Sequence, residues 1–451
     1  MCHTASSPSR SLPVANLWSQ LSMQIFTAVF VAALLLTTCV RMWLATRHIR
    51  HIRAHRASVP DDFSAQIDLA AHQKAADYTC AKTRLGYLNI FLEAALLLAL
   101  TLGGGLNALA AFWSDWLGVP IALDGSSANY PITHGIALII STMLLMSVVE
   151  IPVTYYRTFV IEQQFGFNKM TPAMFFTDLI KQTALGMLIG VPLLFGVLWL
   201  MAEMGAHWWL YVWFAWMVFN LLVLAIYPTW IAPLFNKFTP LADAALKARI
   251  EQLLQKCGFE SSGLFVMDGS RRSSHGNAYF TGFGKTKRIV FFDTLLSRLD
   301  APEIEAVLAH ELGHFKRRHV IKRIVWTFAM SLVFLWGLGY LMQQDWFYQG
   351  LGVTVVAVPS TAMALLLFFL AMPVFTFLLQ PLASLYSRKH EFEADEYAAH
   401  QASANDLMRA LVKLYQDNAA TLTPDPLHSA FYDSHPPAAL RIARLQNLAH
   451  N

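Results

Sequence analysis

Two histidines four residues apart mark the part of the chain that could do chemistry. The segment EIEAVLAHELGHFKRRHV, residues 303–320, contains His310, Glu311 and His314. Residues four apart lie on one face of an α-helix, so both imidazoles can reach one metal ion. Glu311 is turned about 100° from His310, so it can hold a water beside that metal without being a ligand. By itself this short motif is equally typical of a solvated helix with incidental histidines.

A second segment strengthens the metal hypothesis. The sequence SRKHEFEADEYAAH, residues 387–400, carries Glu391 and Asp395, again four apart on one helix face. Glu391 is the candidate third ligand, because catalytic zinc sites can combine two imidazoles with a carboxylate and leave one position open. Asp395 can accept the free N–H of a ligand histidine and fix its tautomer. Glu393 and Glu396 would also fit a solvated acidic face, but the two segments together predict one Zn²⁺ per chain.

Three other histidines have no partner at ligand spacing. They are His319, His390 and His400, and each is predicted to lie at the surface or at a membrane interface.

The composition indicates an integral membrane protein. Of 451 residues, 56% are hydrophobic and 14% are charged, whereas soluble domains have roughly 45–50% and about 25%. The net charge of +4 is too small to indicate a nucleic-acid partner. The four cysteines form no C-x-x-C pair, which argues against a disulfide framework or a thiolate zinc site. The lipid bilayer is therefore the expected partner of most of the chain.

Seven stretches are long and apolar enough to cross a bilayer, which requires about 20 residues. They lie at roughly 22–44, 88–113, 133–153, 183–202, 208–231, 324–343 and 352–379. Basic residues concentrate in alternate connecting segments, which predicts an N-terminus outside and a cytoplasmic C-terminus. The alanine-rich segments favour a bacterial inner membrane, or the endoplasmic reticulum membrane if the source is a eukaryote.

The spans divide the chain into four predicted parts. They are an N-terminal membrane domain with five spans (1–231), a cytoplasmic catalytic segment (232–323), the last two spans (324–386) and a C-terminal catalytic segment (387–451). The first catalytic segment contains two β-like apolar runs between helical patterns, which predicts a small sheet. Glu93 and Glu150 fall inside predicted spans, so they should face a polar cavity or its rim, or pair between helices.

Six longer motifs, spread over most of the chain from about residue 70, support one family. They are FVIEQQFGFNKMTP (159–172), YPTWIAPLFNKFTPL (227–241), RRSSHGNAYFTGFGKTKRIVFFDTLL (271–296), HELGHFKRRH (310–319), SRKHEFEADEYA (387–398) and SHPPAALRI (434–442). With them, the chain resembles the type I CAAX prenyl proteases, which are integral-membrane zinc metalloproteases. The resemblance implies a mainly α fold in which seven transmembrane helices enclose a water-filled chamber, with a cytoplasmic metalloprotease domain that contains a small β-sheet.

The resemblance also assigns roles to residues. It implies that His310, His314 and Glu391 bind zinc and that Glu311 is the general base.

Substrate contacts follow from the same resemblance. Substrate is expected to lie as an added strand beside Asn277, Ala278 and Tyr279, which requires an exposed edge strand. His435 and Arg441 are expected to line the active site, where they would stabilise the oxyanion and anchor the substrate. A purely structural loop, stiffened by the two prolines of SHPPAALRI, is the alternative for these last two residues.

Three functions remain open from the sequence. The first is an endopeptidase that removes the last three residues after a prenylated cysteine. The second is a membrane quality-control protease that degrades misfolded or translocation-stalled proteins. The third is a transporter or channel with a structural zinc, but a structural site fills its fourth position and needs no base such as Glu311. The expected partners are a peptide or protein substrate, prenylated or not, and the bilayer, with the oligomeric state undefined.

Overall fold

The computed structural model describes residues 14–119, 131–281, 287–354 and 360–450. The N-terminal part of these ranges forms six helices, which are α1 (Val14–Ala54), α2 (Leu69–Leu100), α3 (Gly105–Leu117), α4 (Ile132–Tyr156), α5 (Pro172–Glu203) and α6 (Trp208–Ile226). Two π-helical turns extend α4 and α6, at Arg157–Glu162 and Tyr227–Ile231.

The remaining described residues form ten further helices. They are α7 (Ala244–Lys256), α8 (Asp293–Leu296), α9 (Ala301–Lys316), α10 (His319–Leu341), α11 (Asp345–Gly350), α12 (Thr361–Thr376), α13 (Gln380–Gln401), α14 (Ala404–Asp417), α15 (Pro426–Tyr432) and α16 (Ala438–Ala449). α12 and α13 follow one another through a single 3₁₀ turn, so the last membrane helix leads directly into the EFEAD segment.

Seven helical stretches of the described chain are long and apolar enough to cross a membrane, which confirms the predicted number. They are Gln20–Ala54, Leu69–Leu100, Ile132–Glu162, Pro172–Glu203, Gly205–Leu234, His319–Leu341 and Thr361–Gln401. In the first six, only 6–22% of the most apolar window is buried, compared with 50% in the last. The last stretch is therefore the most enclosed of the seven.

The bounds of the predicted second span, 88–113, are wrong. α2 already begins at Leu69 and ends at Leu100, and the turn Thr101–Gly104 separates it from α3. Gly104 has φ +78°, and a Cβ at Gly103 would lie 2.8 Å from the carbonyl oxygen of Ala99. The chain therefore needs glycine here to end one helix and start the next. In the predicted last span, residues 355–359 lie outside the described residues.

The two β-like runs become part of a four-stranded sheet. The strands are β1 (Phe238–Pro240), β2 (Leu264–Met267), β3 (Ala278–Thr281) and β4 (Arg288–Phe292), in the order β1-β2-β4-β3. β2 and β4 are parallel, and the two outer strands are antiparallel to their neighbours. β3 therefore lies at one edge of the sheet, with residues 282–286 outside the described residues.

The two largest of four hydrophobic clusters in the described chain are separate from each other. The first joins the sheet to α7, α9, α14 and α16, and its fully buried members include Ile250, Phe291, Leu308, Leu407 and Leu445. The second lies in the membrane part around α12, whose residues 362–368 are all buried. The catalytic segments thus have a core of their own.

Polar contacts connect the catalytic core to one end of the membrane helices. Arg272 donates to both carboxylate oxygens of Asp178 in α5, at 2.9 and 3.2 Å. Arg47, near the end of α1, pairs with the buried Asp425 at 2.8 Å. At the opposite end of α1, Thr27 donates to the carbonyl oxygen of Gly350 at 2.8 Å. All catalytic segments therefore lie at the same end of the membrane helices.

Glu93 and Glu150 line a cavity between α1, α2, α4 and α12. The cavity has a volume of about 540 Å³ and mostly apolar walls. Glu93 also pairs with Arg41 at 2.7 Å. Glu93 therefore pairs between helices, which is one of the two predicted alternatives, whereas the cavity that both carboxylates line is mostly apolar instead of polar.

Candidate active site

α9 presents His310, Glu311 and His314 from a well-anchored helix. Its start is fixed by Glu303, whose Oε2 accepts a hydrogen bond from the backbone N–H of Asp300 at 2.9 Å. Lys413 of α14 donates to the same carboxylate at 2.7 Å. Because Glu303 is buried, these contacts hold the first turn of α9 against α14.

A glycine allows α13 to approach α9 closely. A Cβ at Gly313 would lie 2.9 Å from Cα of Ala394 and 3.1 Å from its carbonyl oxygen. Real Cβ atoms rarely come this near to backbone, so a larger residue would push the two helices apart. The close contact brings Glu391, three residues before Ala394, opposite the two histidines of α9.

The three predicted ligands converge on one point. The Nε2 atoms of His310 and His314 are 3.3 Å apart. Each of these nitrogens faces one oxygen of Glu391, at 3.5 Å for His310 and 3.4 Å for His314. A tetrahedral zinc site with bonds of about 2.0–2.1 Å has ligand atoms about 3.3 Å apart. The spacing of the donor atoms therefore fits zinc.

The charge and burial of Glu391 support the same fit. Its side chain is buried, and among the described residues its Oε2 makes no hydrogen bond. A buried carboxylate oxygen without a partner is costly, and a cation between the three side chains would remove that cost. His310, His314 and Glu391 form a cluster of potential metal ligands whose donor atoms all lie within 4.8 Å of one another.

The electrostatics of α9 favour a cation at this point. Burial alone would lower the pKa of His310, but the nearby carboxylates of Asp395 and Glu391 raise it to about 9. Burial lowers the pKa of His314 to about 3. Burial also raises the pKa of Glu311 above its usual range. Without metal, the carboxylates thus stabilise a proton on His310, and a bound cation could take the place of that positive charge.

Asp395 lies where the sequence predicted it, behind His310. Its Oδ1 is 2.8 Å from Nδ1 of His310, so it accepts that N–H and leaves Nε2 free for a metal. Arg441 of α16 donates two hydrogen bonds to the same carboxylate, from Nη2 to Oδ1 at 2.6 Å and from Nε to Oδ2 at 2.9 Å. The three residues form a buried chain that orients the first ligand.

Arg441 borders the ligand cluster from its buried side, with Nη1 4.0 Å from Oε2 of Glu391, and its predicted contact with substrate stays a prediction. Only 5% of its surface is exposed, and its guanidinium is engaged by Asp395. An arginine that anchors substrate needs a guanidinium group that is accessible and not already paired. The structure therefore favours a role in orienting Asp395 over the expected contact with substrate.

His435 lies on the open side of the ligand cluster. Its Nε2 is 3.5 Å from Oε2 of Glu391, and 61% of its side chain is exposed. Burial of the surrounding site lowers the pKa of His435. The imidazole is thus accessible, next to a ligand, and able to donate a hydrogen bond to a bound substrate.

Alternate backbone groups of the edge strand β3 point away from β4. The N–H of Phe292 donates to the carbonyl oxygen of Asn277, which makes these two residues a hydrogen-bonded pair. Hydrogen-bonded and non-hydrogen-bonded pairs alternate along an antiparallel ladder. The backbone N–H and C=O of Tyr279 therefore point toward β4, and those of Ala278 and Phe280 point away from it. Asn277 Oδ1 covers the N–H of Ala278 at 2.8 Å.

The edge strand also lies beside the metal ligands. The ring of Phe280 packs against Phe315, whose centroid is 5.1 Å away and which follows His314 directly in α9. The strand that holds Ala278 and Tyr279 therefore packs against the helix of the metal ligands, and contact of Asn277, Ala278 and Tyr279 with substrate stays a prediction.

Two of the three histidines set aside by the sequence are buried. His319 is 4% exposed, its Nδ1 is 2.9 Å from Nδ1 of His314, and its Nε2 is 2.9 Å from Oε2 of Glu393. His390 is 8% exposed and stacks on His319 with ring centroids 4.0 Å apart. The surface alternative is wrong for both, the membrane-interface alternative stays a prediction, and His400 is exposed as expected.

A break between two helices brings His319 back to His314, and ligand spacing within one helix does not contain it. α9 ends at Lys316, Arg318 has φ +58°, and α10 begins at His319. This break turns the chain back, so a residue five positions after His314 returns to it. Regular helical spacing cannot predict such a contact.

Comparison with known proteins gives consistent results. Residues 48–237 match the family model described as CAAX prenyl protease N-terminal, five membrane helices, and residues 240–449 match peptidase family M48. The chain is 31% identical to the CAAX prenyl protease 1 homolog of Caenorhabditis elegans, over 93% of this chain and 98% of the relative. It is 38% identical to CAAX prenyl protease 1 of Saccharomyces cerevisiae, over 67% of this chain and 69% of the relative.

A solved structure agrees over a similar length. The fold is similar to the crystal structure of S. mikatae Ste24p, with a TM-score of 0.84 and 30% identity, covering 93% of this chain and 99% of that chain.

Proposed function

The chain belongs to peptidase family M48, and from this membership we propose that it removes the last three residues of prenylated CAAX-type substrates, using one zinc ion. Members of this family are metallopeptidases, and the chain is a multi-pass membrane metalloendopeptidase. The observation that carries the proposal is the convergence of three side chains, whose facing nitrogen and oxygen atoms are 3.3–3.5 Å apart, beside a carboxylate that is not a ligand.

His310, His314 and Glu391 would hold the zinc ion. When bound, zinc supplies a Lewis acid that polarises the scissile carbonyl and lowers the pKa of a water to about 7. Glu311 then accepts a proton from the attacking water and delivers it to the leaving amine, the general acid–base role open to a carboxylate next to the ligands. The raised pKa of Glu311 makes its carboxylate a better proton acceptor for this role.

His435 and the edge strand would act on the substrate itself. The exposed imidazole of His435 donates a hydrogen bond to the oxygen of the scissile carbonyl as negative charge develops there. The outward backbone groups of Ala278 and Phe280 bind the peptide as an added strand. Arg441 acts behind the site, where it orients Asp395.

The position of the site at the membrane suits a substrate with a lipid part and a peptide part. The membrane helix that starts at His319 begins five residues after the ligand His314. The last membrane helix continues into α13, which carries Glu391. A prenyl chain can remain in the apolar region while the peptide reaches the ligands.

We place the catalytic end of the molecule in the cytoplasm. The segments at that end, such as 45–68 with its arginines, are the basic ones, and basic segments stay on the cytoplasmic side. The source membrane proposed from composition is a bacterial inner membrane, or the endoplasmic reticulum membrane in a eukaryote.

A comparison of three substrates tests the proposal. The purified protein, loaded with zinc, is incubated with a farnesylated CAAX peptide, the same peptide without farnesyl, and an unfolded membrane protein. We expect release of the C-terminal tripeptide from the first, slower release from the second, and loss of both in Glu311→Gln. Efficient degradation of the unfolded protein, with no cleavage of either peptide, would show that the substrate class is wrong.

A further inference from the structure

We propose that His319 and Glu393 form a positioning relay that fixes the tautomer and orientation of His314. The inference rests on the proposed zinc site, but not on the identity of the substrate. It concerns two residues that the three-ligand description leaves without a role.

The relay consists of two short contacts in series. Nδ1 of His319 is 2.9 Å from Nδ1 of His314, and Nε2 of His319 is 2.9 Å from Oε2 of Glu393. The chain therefore runs from a carboxylate through one imidazole to the imidazole of the ligand.

The protons along the relay have one consistent arrangement. A neutral imidazole carries one N–H and one acceptor nitrogen. Glu393 is a carboxylate and accepts, so Nε2 of His319 carries its proton and Nδ1 of His319 is an acceptor. His314 must then carry its proton on Nδ1, which leaves the lone pair on Nε2. That atom is the one directed toward His310 and Glu391, so the relay selects the tautomer that binds metal.

The position of Glu393 explains why an intermediate imidazole is needed. Glu391 and Asp395 are four residues apart and share the face of α13 that meets α9. Glu393 lies about 200° around the helix from Glu391, so it cannot reach His314 directly. His319, at the start of α10, fills the gap between Glu393 and His314.

The surroundings hold His319 in place. Its ring is buried and stacks on His390 with an interplanar angle of 11°. The stacking and the two hydrogen bonds leave the ring few alternative positions. His314 thus receives from His319 the support that His310 receives from Asp395 and Arg441, and three acidic residues of α13 serve the site in different ways.

The test measures zinc affinity in the purified, full-length protein by competition with a chelator of known affinity. Loss of a group that orients a ligand typically weakens metal binding about 10–100-fold, and we expect this range for His319→Ala. Glu393→Gln should lose less than Glu393→Ala, because the amide oxygen can still accept from His319. His400→Ala, an exposed histidine of the same helix as Glu393, is the matched control and should keep wild-type affinity.

A second readout separates orientation from packing. The rise in melting temperature on zinc binding grows with the logarithm of zinc affinity, so His319→Ala should show a smaller difference between zinc-loaded and zinc-free protein than the wild type. A structural role would lower both melting temperatures equally and leave zinc affinity unchanged, and that result would overturn the proposal. If His319→Ala does not fold, Glu393→Ala decides the same question. Failure to cleave prenylated peptides would contradict the proposed substrate but would leave these affinities informative.

Discussion

At the scale of single residues, Glu311 separates metal binding from chemistry. It follows His310 directly in α9 but is not one of the three potential metal ligands. Glu311→Gln should therefore keep about one zinc per chain and lose about 10²–10⁴-fold in turnover, the usual contribution of a general base. Metal analysis and peptide cleavage of the same preparation measure both effects, and His310→Ala, which should lose zinc, is the control. Cleavage at the wild-type rate by Glu311→Gln would remove its assigned role.

His435 makes a different prediction, because it is accessible to substrate. If it donates to the developing oxyanion, His435→Ala should lower kcat about 10²–10³-fold. KM and zinc content should change little, because the contact strengthens mainly in the transition state. Steady-state kinetics with one farnesylated peptide provide the measurement. A rise in KM with kcat unchanged would instead make His435 a substrate-binding residue.

Arg441→Lys distinguishes the two roles considered for that residue. Lysine keeps the charge but loses the planar fork that binds both oxygens of Asp395. If Arg441 orients Asp395, the substitution should weaken zinc binding, about 10–100-fold by analogy with other residues behind metal ligands. Chelator competition measures this. Retained zinc affinity with a higher KM would restore the anchoring role that the resemblance implied.

Residue spacing predicted contacts within one helix better than contacts between helices. The i, i+4 rule found His310 with His314 and Glu391 with Asp395, and the chemistry of zinc joined the two pairs. It could not find His319, because a left-handed residue at Arg318 breaks the helix before it. Nor could it show that Arg441 is buried against Asp395, since 46 residues separate them in sequence.

At the scale of elements, the contact between α9 and α13 depends on Gly313. Gly313→Ala should raise helix propensity, yet its Cβ would meet the backbone of Ala394 at 2.9 Å. We expect the overpacking to dominate, with a loss of about 1–3 kcal/mol in stability. Because the helices separate, zinc affinity should fall as well. Thermal unfolding measures the loss of stability, and chelator competition measures the loss of zinc affinity.

Gly337 provides the matched control for this substitution. It lies inside α10, and a Cβ there would have nothing within 4 Å. Gly337→Ala should therefore leave zinc affinity unchanged. Equal effects of the two substitutions would show that the α9–α13 approach is not what positions Glu391.

The edge strand gives a second prediction at this scale. Ala278→Pro removes an outward N–H, which donates to Asn277 Oδ1 at 2.8 Å until a substrate carbonyl replaces that oxygen, without removing a ladder bond to β4. If substrate adds as a strand, losing one backbone hydrogen bond of about 0.5–1.5 kcal/mol should raise KM about 2–10-fold. Tyr279→Pro, which removes an inward N–H, should instead destabilise the sheet. An unchanged KM in a folded Ala278→Pro protein would place the substrate elsewhere.

Elements were predictable where hydrophobic patterns are long and unbroken. The number of membrane spans and the two β-like runs followed from such patterns. The break between α2 and α3 did not, because the apolar run continues through TLGGGL and only the glycine conformations divide it. The order of strands also depends on tertiary packing, which no local pattern contains.

At the scale of the whole molecule, the structure determines which segments lie at the same end of the membrane helices. Which of the two ends lies in the cytoplasm is predicted from the distribution of basic residues. Arg47 and Asp425 meet at the catalytic end, whereas Thr27 and Gly350 meet at the other. The predicted division of the chain into four parts is consistent with this arrangement and stays a prediction.

Membrane orientation can be tested at two exposed positions, Asp345 and Asn447, which lie on opposite sides of the last membrane helix. Single cysteines are introduced there in a background without the four native cysteines, and intact cells are treated with a membrane-impermeant maleimide. The segment around Asp345 carries no basic residue from 344 to 351, whereas α16 and the segments around it contain several arginines. Basic segments are retained in the cytoplasm, so Asp345→Cys should be labelled directly and Asn447→Cys only after permeabilisation. Because the catalytic core and α16 share one core, the reverse pattern would move the whole active site to the other side of the membrane.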